Sequence, residues 1–196
     1  CIAISNKALV QLGMTAPNRA ANSIADRDLQ REKFFNVDEL HMYVQSNLQK
    51  LLPEQLIAYK KIMHAIENKT GGLFFLDAPG GKGKTFLISL ILATIRSQNN
   101  IALAIASSGI AATLLDGGRT AHSVLKLPLN IQVTETPTCN ISKNSGMGKV
   151  LQTCQLIVWD ECTMAHKQSL EALIHTLKDL RGNNQHFGGA LILLSG

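Results

Sequence analysis

The sequence predicts an α/β protein built on a parallel sheet with helices on both faces. Three observations carry that expectation. Strand-length apolar runs alternate with segments whose apolar residues recur every three or four positions. A glycine-rich loop joins the first such run to the next helical segment, and a later apolar run ends in adjacent Asp and Glu. Strands of a covered parallel sheet are buried on both faces, so they read as continuous apolar runs. Ligands of such sheets bind beyond the carboxyl ends of the strands.

The elements follow in order. Residues 1–50 read as a linker or N-terminal extension, partly helical. Residues 26–33 are dense in charge, and residues 37–52 predict a helix with Leu40, Tyr43, Val44 and Leu48 at helical spacing. The domain itself is expected over residues 51–196. Pro53 opens a helix, a position where its missing N–H costs nothing. Leu56, Tyr59, Ile62, Met63 and Ile66 give it one apolar stripe, and Gly71 and Gly72 end it. Residues 73–77 predict the first strand, 86–96 a helix and 101–106 the second strand. A short helix over 109–116 is closed by Gly117 and Gly118. Residues 128–148 are rich in Pro, Thr, Asn and Ser and read as a long irregular loop. Residues 155–159 predict the third strand, 169–180 a helix and 190–194 the fourth strand.

Composition supports one folded unit. The chain has 196 residues, within the range of about 100–200 for one domain. Hydrophobic residues make up 45% and charged residues 17%, enough to bury a core. The net charge of +5 favours polyanionic partners, although a solvated basic surface gives the same balance. Cys1, Cys139, Cys154 and Cys162 have no C-x-x-C spacing, which argues against zinc and suits a reducing, intracellular compartment. The apolar runs, such as 101–106, fall well short of the roughly 20 residues that cross a membrane. The chain begins at Cys1 and ends at Gly196 directly after an apolar run, so both ends are expected to lie within a longer protein.

The chemistry concentrates after the strands. Ala78-Pro79-Gly80-Gly81-Lys82-Gly83-Lys84-Thr85 follows a strand and opens a helix, close to the P-loop pattern G-x-x-x-x-G-K-[ST]. Backbone amides from Gly80 to Lys84 would cradle the β-phosphate of ATP, helped by the partial positive charge of the helix N-terminus. Lys84 would reach the β- and γ-phosphates, and Thr85 would place its hydroxyl on Mg²⁺. Ala78 departs from the pattern's first glycine. It costs roughly 1 kcal/mol if that position needs a positive φ, and nothing otherwise. Residues 156–161 form an apolar strand ending in Asp160-Glu161. Asp160 would hold the Mg²⁺ shell and Glu161 would orient and activate the attacking water. Gln55, near the start of the helix before the first strand, could read the adenine edge through its amide.

Beyond the second strand, Ser107-Ser108-Gly109-Ile110-Ala111-Ala112-Thr113-Leu114-Leu115 and then Gly117-Gly118-Arg119-Thr120-Ala121-His122-Ser123 resemble the corresponding segment of petite integration frequency helicases. Asp160-Glu161-Cys162-Thr163-Met164 resembles that family's second motif. Phe187-Gly188-Gly189 and Leu193-Leu194-Ser195-Gly196 resemble the approach to its third. The likeness covers about residue 50 to the end, while residues 1–50 are more weakly similar to the linker of Helitron-transposon helicases. The resemblance implies a RecA-like fold, here part of a first motor domain. It implies ATP-dependent, 5′-to-3′ movement on single-stranded DNA in replication, repair, recombination, telomere maintenance or transposition, and a nuclear location. It also implies that Ser107, Ser108, Thr120 and His122 contact the DNA strand. The family usually has glycine at the position of Ala78 and threonine at that of Lys82. The alternative is a non-catalytic, ATP-binding remnant of a transposon helicase, which the second lysine and the absence of the third motif's Asp and Gln would favour.

Overall fold

The computed structural model describes residues 21–128, 131, 136–183 and 185–196, with side chains from residue 27 onward. The first twenty residues of the expected extension, and residues 129–130 and 132–135 of the expected loop, lie outside the described residues.

Five parallel strands form one sheet in the order β1-β5-β4-β2-β3. They are β1 (Gly72–Leu76), β2 (Ala102–Ala106), β3 (Arg119–Thr120), β4 (Leu156–Asp160) and β5 (Leu191–Ser195). The helices are α1 (Ala21–Lys33), α2 (Val37–Leu48), α3 (Pro53–Glu67), α4 (Lys84–Ser97), α5 (Gly109–Leu114), α6 (Ala121–Leu125), α7 (Gly146–Thr153) and α8 (Lys167–Arg181).

Alternate residues of the central strands feed two cores, one on each face. Leu103, Ile105, Ile157, Trp159 and Ile192 pack with residues of α6, α7 and α8. Ala102, Ala104, Leu156, Val158, Leu191 and Leu193 pack with α3 and α4. Helix α4 contributes Leu87, Ile88, Leu90, Ile91, Leu92 and Ile95, all at most 2% exposed, and each such side chain contributes roughly 1.5–3 kcal/mol. That packing fixes the helix on which the glycine-rich loop ends.

Four departures from expectation have physical reasons. Strand β1 is covered on one face only, with Leu73 and Phe75 exposed, because it is an edge strand. Strand β3 is two residues long, too short to leave a periodic signal. Helix α7 occupies the end of the expected irregular loop. Ser145 caps it by accepting a bond from Gly148 N at 3.0 Å, and Met147, Val150 and Leu151 are buried. Its glycines argue against a helix, yet a Cβ on Gly148 would lie 2.2 Å from the Ser142 carbonyl. Close approach, not propensity, selects that residue. Finally, the charged stretch 26–33 belongs to α1.

Helix α2 lies along α4, and Val44 and Leu48 pack against the α3–α4 core. Helix α1 lies along α7, and Leu29 packs against the opposite core.

Candidate functional site

Strand register brings the sequence-predicted residues to one rim. Leu76 pairs with Ser195, Ala106 with Asp160, and Ala106 with Thr120. Ser195 Oγ donates to Asp160 Oδ1 at 2.6 Å, which closes the row between β5 and β4. The loop after β1, the Asp160-Glu161 pair and the Ser107-Ser108 pair therefore all leave the sheet at its carboxyl ends. Residues two strands apart in such a row are about 10 Å apart.

The loop is built by backbone. Gly81 and Gly83 both have φ of 76°, and Gly83 is the left-handed residue that starts α4. Ala78 and Lys82 are not among the positive-φ residues, so neither departure strains the chain. Pro79 and Gly80 complete the turn, and Lys82 N donates to the Pro79 carbonyl at 3.3 Å. The Lys84 ammonium donates back across the loop to the Ala78 carbonyl. Thr85 sits half-buried in the first turn of α4.

Gln55 lies against this loop. Its Oε1 accepts from Leu52 N at 3.0 Å and its Nε2 donates to the Lys82 carbonyl at 2.9 Å. A cavity of about 320 Å³ is lined here by Leu52, Gln55, Ala78, Pro79, Gly83 and Lys84. The Gln55 amide thus bridges the start of α3 and the glycine-rich loop.

At the end of β4, Asp160 is 8% exposed. Its Oδ1 accepts from both Ser195 Oγ and Glu161 N. Glu161 adopts a left-handed backbone, φ 50° and ψ 40°, which turns the chain sharply after the strand. Its Oε2 accepts from Ser108 Oγ at 2.8 Å. The same Ser108 oxygen caps α5 by accepting from Ala111 N at 3.1 Å. Ser107 Oγ accepts from the indole Nε1 of Trp159 at 3.0 Å, and Ser107 N donates to the Asp160 carbonyl. Both serines are therefore tied to β4.

Thr120 is the residue that starts α6, and His122 lies in the first turn with its side chain exposed. His122 lines a cavity of about 460 Å³ with Ser107, Trp159, Met164 and His166. Lys84 and Thr85 follow β1, Asp160 and Glu161 end the central strand β4, and Thr120 and His122 lie at the β3 end.

Burial pushes the Cys139 thiol up to about 11 and also raises Cys154 and Cys162. Among the described residues no group of three His, Cys, Asp or Glu side chains could enclose a metal ion.

Sequence reasoning passed over Ser195 as a partner of Asp160, and over Glu32, Arg96 and Arg119. A buried arginine in an apolar helix was the available signal for Arg96. Glu32 and Arg119 are 87 positions apart and left none.

Comparisons with known proteins accord with this geometry. The family model described as PIF1-like helicase matches residues 50–196. The ATP-dependent DNA helicase Pif1 of Psychrobacter sp. is 31% identical over 128 residues, which are 65% of this chain and 19% of that protein. The crystal structure of Pif1 helicase from Candida albicans superposes with a TM-score of 0.60 at 25% identity, covering 74% of this chain and 32% of that one. Bacteroides Pif1 in complex with ADP-AlF3 and ssDNA superposes with a TM-score of 0.59 at 24% identity, over 71% of this chain and 31% of that one. The chain thus spans about a fifth of that curated relative and about a third of the solved ones. No described helix is long and apolar enough to cross a membrane. With its family match running from residue 50 to residue 196, the chain belongs to the PIF1-like helicase family.

Proposed function

We propose that this chain is the ATP-binding part of an ATP-dependent DNA helicase, and that it couples nucleotide hydrolysis to a single DNA strand. The observation that carries the proposal is the hydrogen bond from Ser108 to Glu161. It links the carboxylate best placed to activate water to the segment that resembles a DNA-contacting one. ATP-dependent DNA helicase is the description of the Psychrobacter relative, and Bacteroides Pif1 holds ADP-AlF3 and ssDNA together.

In this reading residues 51–196 are the RecA-like ATP-binding unit and residues 1–50 its extension. Amides of Pro79–Thr85, excluding the proline, surround the phosphates, and Lys84 exchanges the Ala78 carbonyl for a phosphate oxygen. Gln55 exchanges one of its present partners for the adenine edge. Asp160 and the Thr85 hydroxyl fit a hydrated Mg²⁺, an ion that keeps waters and phosphates and needs few protein ligands. Both hydrogen bonds to Asp160 fall on Oδ1, so Oδ2 is the oxygen for that shell. The ion neutralises charge developing on the phosphates when bound. Glu161 takes the proton of the attacking water. Ser107, Ser108, Thr120 and His122 face the DNA strand, and the motor moves 5′-to-3′ along that strand. Such work belongs in the compartment that holds the DNA, the nucleus in a eukaryotic source. Lys82 is exposed and its backbone ordinary, so the geometry gives no support to an inactive remnant.

The test is steady-state ATP hydrolysis by the full-length protein. Single-stranded DNA should raise the rate, and Lys84→Ala should remove it. A folded, ATP-binding protein that no DNA stimulates rules the helicase reading out.

A further inference from the structure

We propose that Glu32 is a positioning residue: the corner between α1 and α2, which precedes the residues matched by the family, sets Thr120 and His122 for the DNA strand. The inference rests on the DNA reading above.

Glu32 is the one buried side chain among those described on α1, at 3% exposure. A helix anchored by a charge instead of an apolar residue needs a reason, because a buried carboxylate must be paired. Its Oε1 accepts from Arg119 Nη2 at 2.5 Å. Arg119 is the first residue of β3, its side chain is 15% exposed, and its Nε is buried without a hydrogen-bond partner. Burial pushes the Glu32 carboxyl above its ordinary range, and the charges of Arg119, Arg96 and Arg31 oppose that shift.

A second contact holds the same corner. Arg96, at the end of the helix that the nucleotide loop opens, donates to the Ala102 and Asp116 carbonyls. Its guanidinium lies 4.2 Å from the centre of the Phe35 ring, and Phe35 stands 3.3 Å from where a Cβ on Gly117 would be. The turn before β3 is thus held between α4 and the α1–α2 corner.

Strand β3 needs such a device. It has two residues and pairs on one side only, Arg119 with Ile105 and Thr120 with Ala106. The residue after Arg119 is the N-cap of α6, and His122 follows two positions later. A buried ion pair contributes little net stability compared with apolar packing, but it specifies one arrangement. Without the carboxylate's charge, the mostly buried Arg119 guanidinium loses its counter-ion, which favours turning the arginine towards water and shifting its neighbour Thr120 with it.

The test uses the full-length protein, a fluorescent oligo-deoxythymidine and a fluorescent ATP analogue. Glu32→Gln should weaken DNA binding by about tenfold, a coupling of ordinary size between linked sites. It should leave the Kd for the ATP analogue within about twofold, as for independent distant sites. Glu32→Gln removes a negative charge, so a purely electrostatic effect would strengthen DNA binding; the predicted change has the opposite sign. The double variant Glu32→Gln/Arg119→Gln restores an uncharged amide pair and should bind DNA within about threefold of the unaltered chain, the non-additivity expected of residues in contact. Three results would overturn the proposal. If Glu32→Gln leaves DNA affinity unchanged while His122→Ala weakens it, the corner does not position the segment and the DNA reading survives. If Thr120→Ala and His122→Ala both leave DNA affinity unchanged, the DNA reading fails and this inference with it. If the double variant stays as weak as Glu32→Gln, Arg119 touches DNA itself.

Discussion

The two ends of the sheet are held by different means. At the β1 end the nucleotide loop is shaped by backbone: two glycines with φ of 76°, the N-terminus of α4, and carbonyls that receive Gln55 and Lys84. At the β3 end the chain is held by side chains far apart in sequence, Glu32 on Arg119 and Arg96 on Asp116. A site made of backbone tolerates odd side chains, which is why Ala78 and Lys82 sit in it without strain. A site made of paired side chains tolerates little loss on either side.

That difference ranks the expected effects of substitution. The largest is Lys84→Ala, which removes the loop cation proposed to meet the phosphates: ATP hydrolysis by the full-length protein should fall about 10²–10³-fold. Next, Arg96→Ala removes hydrogen bonds to two carbonyls and exposes the buried end of α4. Urea unfolding of the chain should show a loss of roughly 2–3 kcal/mol. A loss below about 0.5 kcal/mol, the size of an ordinary surface substitution, would mean that the β3 end is not held by this side chain.

Smaller still is Gly83→Ala. The left-handed backbone costs alanine roughly 1–2 kcal/mol, and its Cβ would come within 2.7 Å of Gln55 Nε2. ATP affinity should fall about tenfold, since each 1.4 kcal/mol is a factor of ten. The smallest is Ala78→Gly, which restores the usual residue of the pattern. Because Ala78 needs no positive φ, stability should move by less than about 0.5 kcal/mol, and ATP affinity by less than about threefold. A large gain in ATP affinity would show that the loop is strained after all.

The same contrast explains what could be read in the sequence. The loop, its flanking strand and helix, and Asp160-Glu161 are local patterns, and residues 78–85 and 156–161 carried them unaided. Strands β2, β4 and β5 were legible because both faces are buried and the runs are apolar up to the last residue of β4 and β5. Strand β3 was not, since two residues hold no period. Helix α7 was not, since its glycines and the polar residues before it signal a loop while burial of Met147, Val150 and Leu151 decides the outcome. The Ser108–Glu161 bond spans 53 positions and the Glu32–Arg119 pair 87, and no window of sequence contains either.

The most direct test concerns the Ser108–Glu161 bond, which joins the chain leaving β2 to the chain leaving β4. ATP hydrolysis by the full-length protein and its Ser108→Ala variant would be followed as single-stranded DNA is added. The unstimulated rate should change by less than about threefold, while the stimulation by DNA should fall about tenfold, a coupling loss near 1.4 kcal/mol. A Ser108→Ala variant that DNA stimulates as strongly as the unaltered protein would contradict that coupling.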